Sequence, residues 1–154
     1  MSSTRVLSGP MQAHATRFRP GEDLVASLLQ AAADAMKTSR ARSAALVTAV
    51  GSLSYLKLRL ANASPDHPNE MREWTEKLEI VSLVGTFSHD GGKHVHISVS
   101  TADGTTYGGH LVAGTVHTTV ELVLSTIGGL EFAREYDDAT GYAELTIRKM
   151  DSVE

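Results

Sequence analysis

One stretch of this chain, about residues 22–38, repeats its apolar residues at steps of three and four, and its contrast with the rest limits the fold more than any other feature. Leu24, Val25, Leu28, Leu29, Ala32, Ala35 and Met36 share a stripe that Gln30, Asp34 and Lys37 avoid, the pattern of an amphipathic helix. Glu22 and Asp23 stand in its first turn and Lys37 in its last, where the helix dipole favours each charge. Almost everywhere else the period is two. Met11 to Phe18 alternates roughly until Pro20-Gly21. Ala45 to Val50 and Ser52 to Leu60, parted by Gly51, follow the helix, with Leu56, Leu58 and Leu60 on one side and Tyr55, Lys57 and Arg59 on the other. Residues 61–70 hold two of the four prolines and read as a surface loop.

Further on, Glu76 to Phe87 is nearly continuous in apolar residues and predicts a central strand, and Lys93 to Ser100 alternates strictly. Thr105 to Val112 comes next. Val116 to Ile127 would also suit a helix, but Thr118-Thr119 and its β-branched content favour a strand. Phe132 to Tyr136 and Ala143 to Arg148 flank a turn at 137–141. One helix among seven or eight strands in hairpin order predicts an α+β domain, an antiparallel β-sheet with one main α-helix packed on one face.

At 154 residues the chain reads as a single domain, 1–154 with a core of about 11–148, and it is long enough to bury that core without staples. Cysteine is absent, which removes disulfides, thiol catalysis and thiolate metal sites, so a transition metal would have to be held by imidazole or oxygen. Fourteen basic against 18 acidic residues give a net charge of −4, the wrong sign for a domain that grips nucleic acid by its own surface. Met1 to Met11 lacks the build of a signal peptide, and no run approaches the ~18 apolar residues of a membrane span. The expectation is a soluble cytoplasmic protein with no membrane partner. Neither a phosphate-binding glycine loop nor a nucleophile elbow is present.

Seven histidines remain to be explained. His94 and His96, at i and i+2, share one face of a strand, with α-carbons ~6–7 Å apart. Whether His110 joins them depends on hairpin register, because a slip of one residue sends it to the opposite face. A two-residue turn at Asp103-Gly104 would pair His110 with Ile97 on the wrong side. A three-residue turn, Ala102-Asp103-Gly104, needs a left-handed third residue, which is glycine here, and places His96 opposite His110. Three neutral imidazoles on a tetrahedral ion leave one position for water or substrate, the arrangement of catalytic zinc. Gly108 and Gly109, just before His110, suggest close approach of a ligand, a metal-bound water or another subunit. The competing reading is a polar strand face, its histidines hydrogen-bonded to serines, packed on a neighbouring subunit. His14, His67, His89 and His117 read as surface or interface residues, and Trp74 as packing or an interface anchor. Glu121 is the candidate for an orienting or general-base carboxylate.

Four segments in order resemble one family: Leu78 to Phe87, His94 to Ser98, Gly108 to Leu111, and Phe132 to Tyr136 with Gly141-Tyr142. It is the plant and prokaryote conserved domain, also known as the domain found with AT-hooks or as PD1-like DNA-binding protein, and the likeness spans about 11–148. The resemblance implies a single helix against an antiparallel sheet, a homotrimer with the histidine face near the subunit contacts, and a zinc site at positions matching His94, His96 and His110. It also implies a DNA or protein partner. In the plant members an AT-hook makes the DNA contact, and here Arg19-Pro20-Gly21 is not an AT-hook core, nor is there a basic tail.

Three functions follow as expectations. The first is a homotrimeric, zinc-binding assembly or regulatory module. The second is a zinc-dependent hydrolase or lyase acting on a small polar substrate at the trimer interface, with Glu121 or a neighbouring subunit's carboxylate as base. The third is sequence-independent DNA association. A cupin also carries His-x-His on a strand, but no glutamate follows shortly after His96.

Overall fold

A computed structural model describes residues 6–62, 64, 66 and 69–150. The order of elements is β1 (Met11–Phe18), α1 (Leu24–Ser39), β2 (Ser43–Arg59), β3 (Met71–Trp74), β4 (Leu78–Ser88), β5 (Lys93–Ser100), β6 (Thr106–Ile127), β7 (Leu130–Asp137) and β8 (Tyr142–Lys149). The architecture is α+β, as the periodicities predict. His67 lies outside the described residues, and no helix among them is long and apolar enough to cross a membrane.

The helix starts two residues later than the charge pattern suggests. Asp23 is its N-cap, not a first-turn residue: its carboxylate accepts the Ala26 N–H at 2.8 Å, which satisfies one of the free donors of that turn. Glu22 lies before the cap and accepts the Arg19 N–H. At the other end Arg40 takes a left-handed conformation, φ 54°, and the chain turns into β2. Leu24, Leu28, Ala32 and Ala35 are buried against β6, β1 and β2.

Two pairs of predicted strands are single strands. Gly51 does not part β2; it lies within it at φ +146°, where a Cβ would stand 2.0 Å from the Thr119 carbonyl oxygen. Similarly β6 runs unbroken through 113–115 for 22 residues, and the ambiguous 116–127 half is strand. The sheet order is β1-β6-β5-β4-β2-β3, and β2 also pairs with β6. The ladders β2–β4, β4–β5, β5–β6 and β6–β2 therefore close on themselves around Leu53, Leu58, Leu83, Val95, Ile97 and Leu111. β4 lies inside the sheet between β5 and β2, the central strand its apolar run predicts, although Val81 and Val84 are 58% and 53% exposed. β3, too short for periodicity to reveal, adds at the edge of β2. β7 and β8 form a separate hairpin.

The β5–β6 turn has the three-residue form. Thr101 and Thr105 pair through a 2.9 Å backbone bond, the Gly104 N–H donates to the Thr101 carbonyl at 2.9 Å, and Gly104 has φ +84°. Asp103 locks it by accepting the Thr101 hydroxyl at 2.5 Å and the Thr105 N–H at 3.0 Å. Those bonds, the Thr101 hydroxyl first, hold its carboxyl down to about 2. A carboxyl depressed in the folded state adds stability above its unfolded pKa of ~3.9 and loses it as pH falls through the folded value. Denaturation midpoints are thus expected to drop between about pH 4 and pH 2, and Asp103→Asn to flatten part of that slope; an unchanged slope would show that the carboxylate does not hold the turn.

Candidate metal centre

Strand parity sends Val95, Ile97 and Val99 into the core and leaves His94, His96 and Ser98 outside. The turn then sets the neighbours: His96 pairs with His110, and Ser98 with Gly108. A row of side-chain positions crosses four strands, from Val84 on β4 through His96 and His110 to Arg59 on β2. The three rings of His94, His96 and His110 have centroids 5.0–5.5 Å apart. One ligand nitrogen from each lies within 4.8 Å of the others. Nε2 of His94 and Nε2 of His96 share a proton at 3.1 Å. Two ligands ~2.0–2.1 Å from a tetrahedral ion stand ~3.3–3.4 Å apart, so this pair is already at ligand spacing.

The electrostatics favour the neutral form of His94 and His110, the form that binds a metal. Burial pushes the His110 ring down to about 4, with the Arg59 guanidinium as the next cause. His94 is lowered as well, by burial first and then by His96. His110 Nδ1 is buried and has no hydrogen-bond partner, a cost of ~1–3 kcal/mol when nothing accepts or donates there. The donor set is all imidazole, with no carboxylate in it, which fits zinc and its transition-metal neighbours and not magnesium or calcium.

The structure assigns the remaining candidates elsewhere. Glu121 is exposed on β6, opposite Arg17 of β1, and eleven residues of strand, ~35 Å, separate it from His110. The carboxylate that reaches the histidines is Glu144 of β8, which lines a cleft with His94 and His110. At Gly109 this chain's own β2 makes a close approach, since a Cβ there would stand 2.7 Å from the Arg59 carbonyl oxygen. Gly108 does open onto the site, lining a cleft of about 510 Å³ with His96, His110, Arg59 and Tyr142. His14 contacts Thr126, and His89 Nδ1 bonds the Phe132 carbonyl at 2.9 Å. His117 is half-buried on β6, and Trp74 stacks on Tyr107 at 5.0 Å and packs on the core.

Arg59, Arg134, Tyr142 and Glu144 were not singled out by the spacing. Arg59 could have been found by extending the Tyr55-Lys57-Arg59 parity to the register of β6. The other three depend on the β7–β8 hairpin leaning over the histidine face. The Arg134 guanidinium donates to the Thr86 hydroxyl at 2.9 Å, and Arg59 lies 5.7 Å from the centre of the Tyr142 ring.

Residues 7–128 match the Plants and Prokaryotes Conserved domain. The chain belongs to that family. Two curated relatives, both "Bifunctional protein GlmU" of Synechococcus strains, are 38% identical over 93% and 91% of this chain, which spans only 22% and 21% of their length. A hypothetical protein from Salmonella cholerae-suis superposes with TM-score 0.81 at 30% identity, covering 93% of this chain and 97% of that one. A metal-containing protein from Archaeoglobus fulgidus gives TM-score 0.76 at 24% identity over 93% of this chain and 99% of that one. A protein of Bacteroides thetaiotaomicron with a provisional DNA-binding description gives 0.72 at 20% over 87% and 91%. The last two likenesses are of fold.

Two outcomes are expected of this conserved-domain chain. In metal-free protein, NMR should find His110 titrating near 4, and Arg59→Gln should raise that value, because removing a nearby positive charge favours the imidazolium; a midpoint at the ordinary ~6.5 would contradict the burial. Gly109→Ala should cost ~1–3 kcal/mol in chemical denaturation, since β2 must move to admit the methyl group.

Proposed function

We propose that the chain is a metal-binding assembly or regulatory module, its three histidines holding one zinc ion in a homotrimer. The observation that carries the metal is the convergence of three imidazoles from two paired strands. His94, His96 and His110 would be the ligands, leaving the side toward Arg59, Tyr142 and Glu144 open. When bound, zinc supplies a Lewis acid there. The metal-containing Archaeoglobus neighbour agrees with this reading.

Exposed apolar side chains support the trimer. Val47 and Val50 on β2, with Val81 and Val84 on β4, are each more than half exposed on adjoining strands, the kind of patch that marks association. Val84 also lines a cleft with His94 and His96, which would bring the metal centre close to a subunit contact. That the related segment makes up about a fifth of two longer proteins supports an accessory unit.

The open side of the cluster favours the enzymatic alternative, a hydrolase or lyase acting on a small polar substrate, and within this chain Glu144 replaces Glu121 as the carboxylate that could hold or move a proton. DNA association remains a family description that a net charge of −4 does not favour.

Metal analysis of protein purified without chelator should give one zinc per chain, and His96→Ala should lose it. Sedimentation should give three times the 16.4 kDa chain mass. Protein free of metal after zinc reconstitution would overturn the metal centre; a monomer would overturn the assembly.

A further inference from the structure

Six buried side-chain polar atoms lack a hydrogen-bond partner among the described residues, and four of them, Arg59 Nε, Arg134 Nε, Tyr142 Oη and His110 Nδ1, belong to residues lining one cleft. Buried polar groups are ordinarily satisfied, so such a concentration needs a reason. Both arginine atoms can only donate and the tyrosine hydroxyl can donate. What they share is a demand for an acceptor.

The charge points the same way. Arg59, Lys93 and Arg134 line the cleft with a single carboxylate, Glu144. None of the three cations is in an ion pair among the described residues. With Glu144 included the four side chains sum formally to +2 in a chain whose total is −4, so the site runs against the charge of the whole protein. Each guanidinium is also placed by a contact of its own: Arg134 by Thr86, whose strand neighbour is His94, and Arg59 by the Tyr142 ring. Planar forks fixed in this way suit the oxygens of a phosphate or carboxylate.

We propose that this cleft binds a small oxyanion ligand of the phosphate class, a dianion that balances the charge of Arg59, Lys93, Arg134 and Glu144 beside the three histidines. The inference deepens the metal-centre reading and rests on it for the second contact of the ligand, while the donors themselves belong to the chain. An oxygen of the ligand would face the open side of the cluster and the others would face the guanidinium groups. The site would thereby take a substrate or effector bearing a phosphate in preference to one bearing a single carboxylate.

The test is calorimetric titration of inorganic phosphate, with acetate as comparison, into full-length protein loaded with zinc and freed of excess metal, the zinc content being measured on the same samples. Phosphate should bind roughly tenfold or more tighter than acetate, since it can accept an additional charge-assisted hydrogen bond. Arg134→Gln and Arg59→Gln should each weaken phosphate roughly tenfold while keeping the zinc, and Arg59→Lys should recover only part of the loss because it restores the charge without the fork. Zinc-loaded protein that binds no phosphate at millimolar concentration, or whose arginine variants bind as the parent does, overturns the inference and leaves the metal centre standing. Equal affinity for acetate overturns the phosphate preference. Arginine-dependent phosphate binding in protein that takes up no zinc supports the oxyanion site and removes the metal reading alone.

Discussion

A bend of three residues governs the chemistry of this protein. Because side chains in a strand alternate, a turn one residue shorter would have sent His110 to the core face and brought Ile97 opposite it. The Ala102–Gly104 turn avoids this through two local devices: a glycine at φ +84° and an aspartate that accepts from both flanking threonines. With that register set, the apolar set Val95, Ile97 and Val99 is buried by the same step that turns His94 and His96 outward toward His110. Core packing and site assembly are consequences of one alignment, so selection for either maintains both.

The long strands add a second constraint. β6 serves β5 along its first half and β1 along its second, and its other edge pairs with β2. Two glycines matter along the β2–β6 ladder: Gly51, beside one of its register breaks, passes the Thr119 carbonyl, and Gly109, at its end, passes the Arg59 carbonyl. The second of these brings β2 against the histidine strand and delivers Arg59 beside His110. Gly109 lets two backbones of the same chain touch, and the guanidinium arriving with β2 helps to keep the His110 imidazole neutral.

The cleft is unusual in carrying cations around groups that would bind a cation. Arg59 and Arg134 oppose protonation of His94 and, at short range, oppose a metal as well, with Glu144 the one opposing charge among the lining residues. A divalent ion would sit there at a cost unless an anion accompanied it, which ties the two proposed ligands together thermodynamically: each should strengthen the binding of the other.

Much of the fold could be read directly. The helix stripe, the parity of β1, β2 and β5, and the glycine-closed turn each depend on residues a few positions apart, and the backbone geometry of helix and strand converts such spacing into faces without reference to the rest of the molecule. For that reason the pairing of His96 with His110 followed from the amino-acid sequence. What local rules could not reach were the places where distant segments meet. The apolar run of β4 placed it rightly inside the sheet, but apolarity does not say whether a second layer covers the strand, and Val81 and Val84 face outward. Glu121 misled because a carboxylate among apolar neighbours says nothing of distance along a 22-residue strand. Arg134, Tyr142 and Glu144 come from a hairpin whose position is set by contacts such as Arg134 with Thr86, 48 residues away. The sequence alone determined which residues share a face and which turn joins them, because those are short-range properties of the chain; only the tertiary structure decided which charges surround the histidines, because that depends on long-range packing that no spacing encodes.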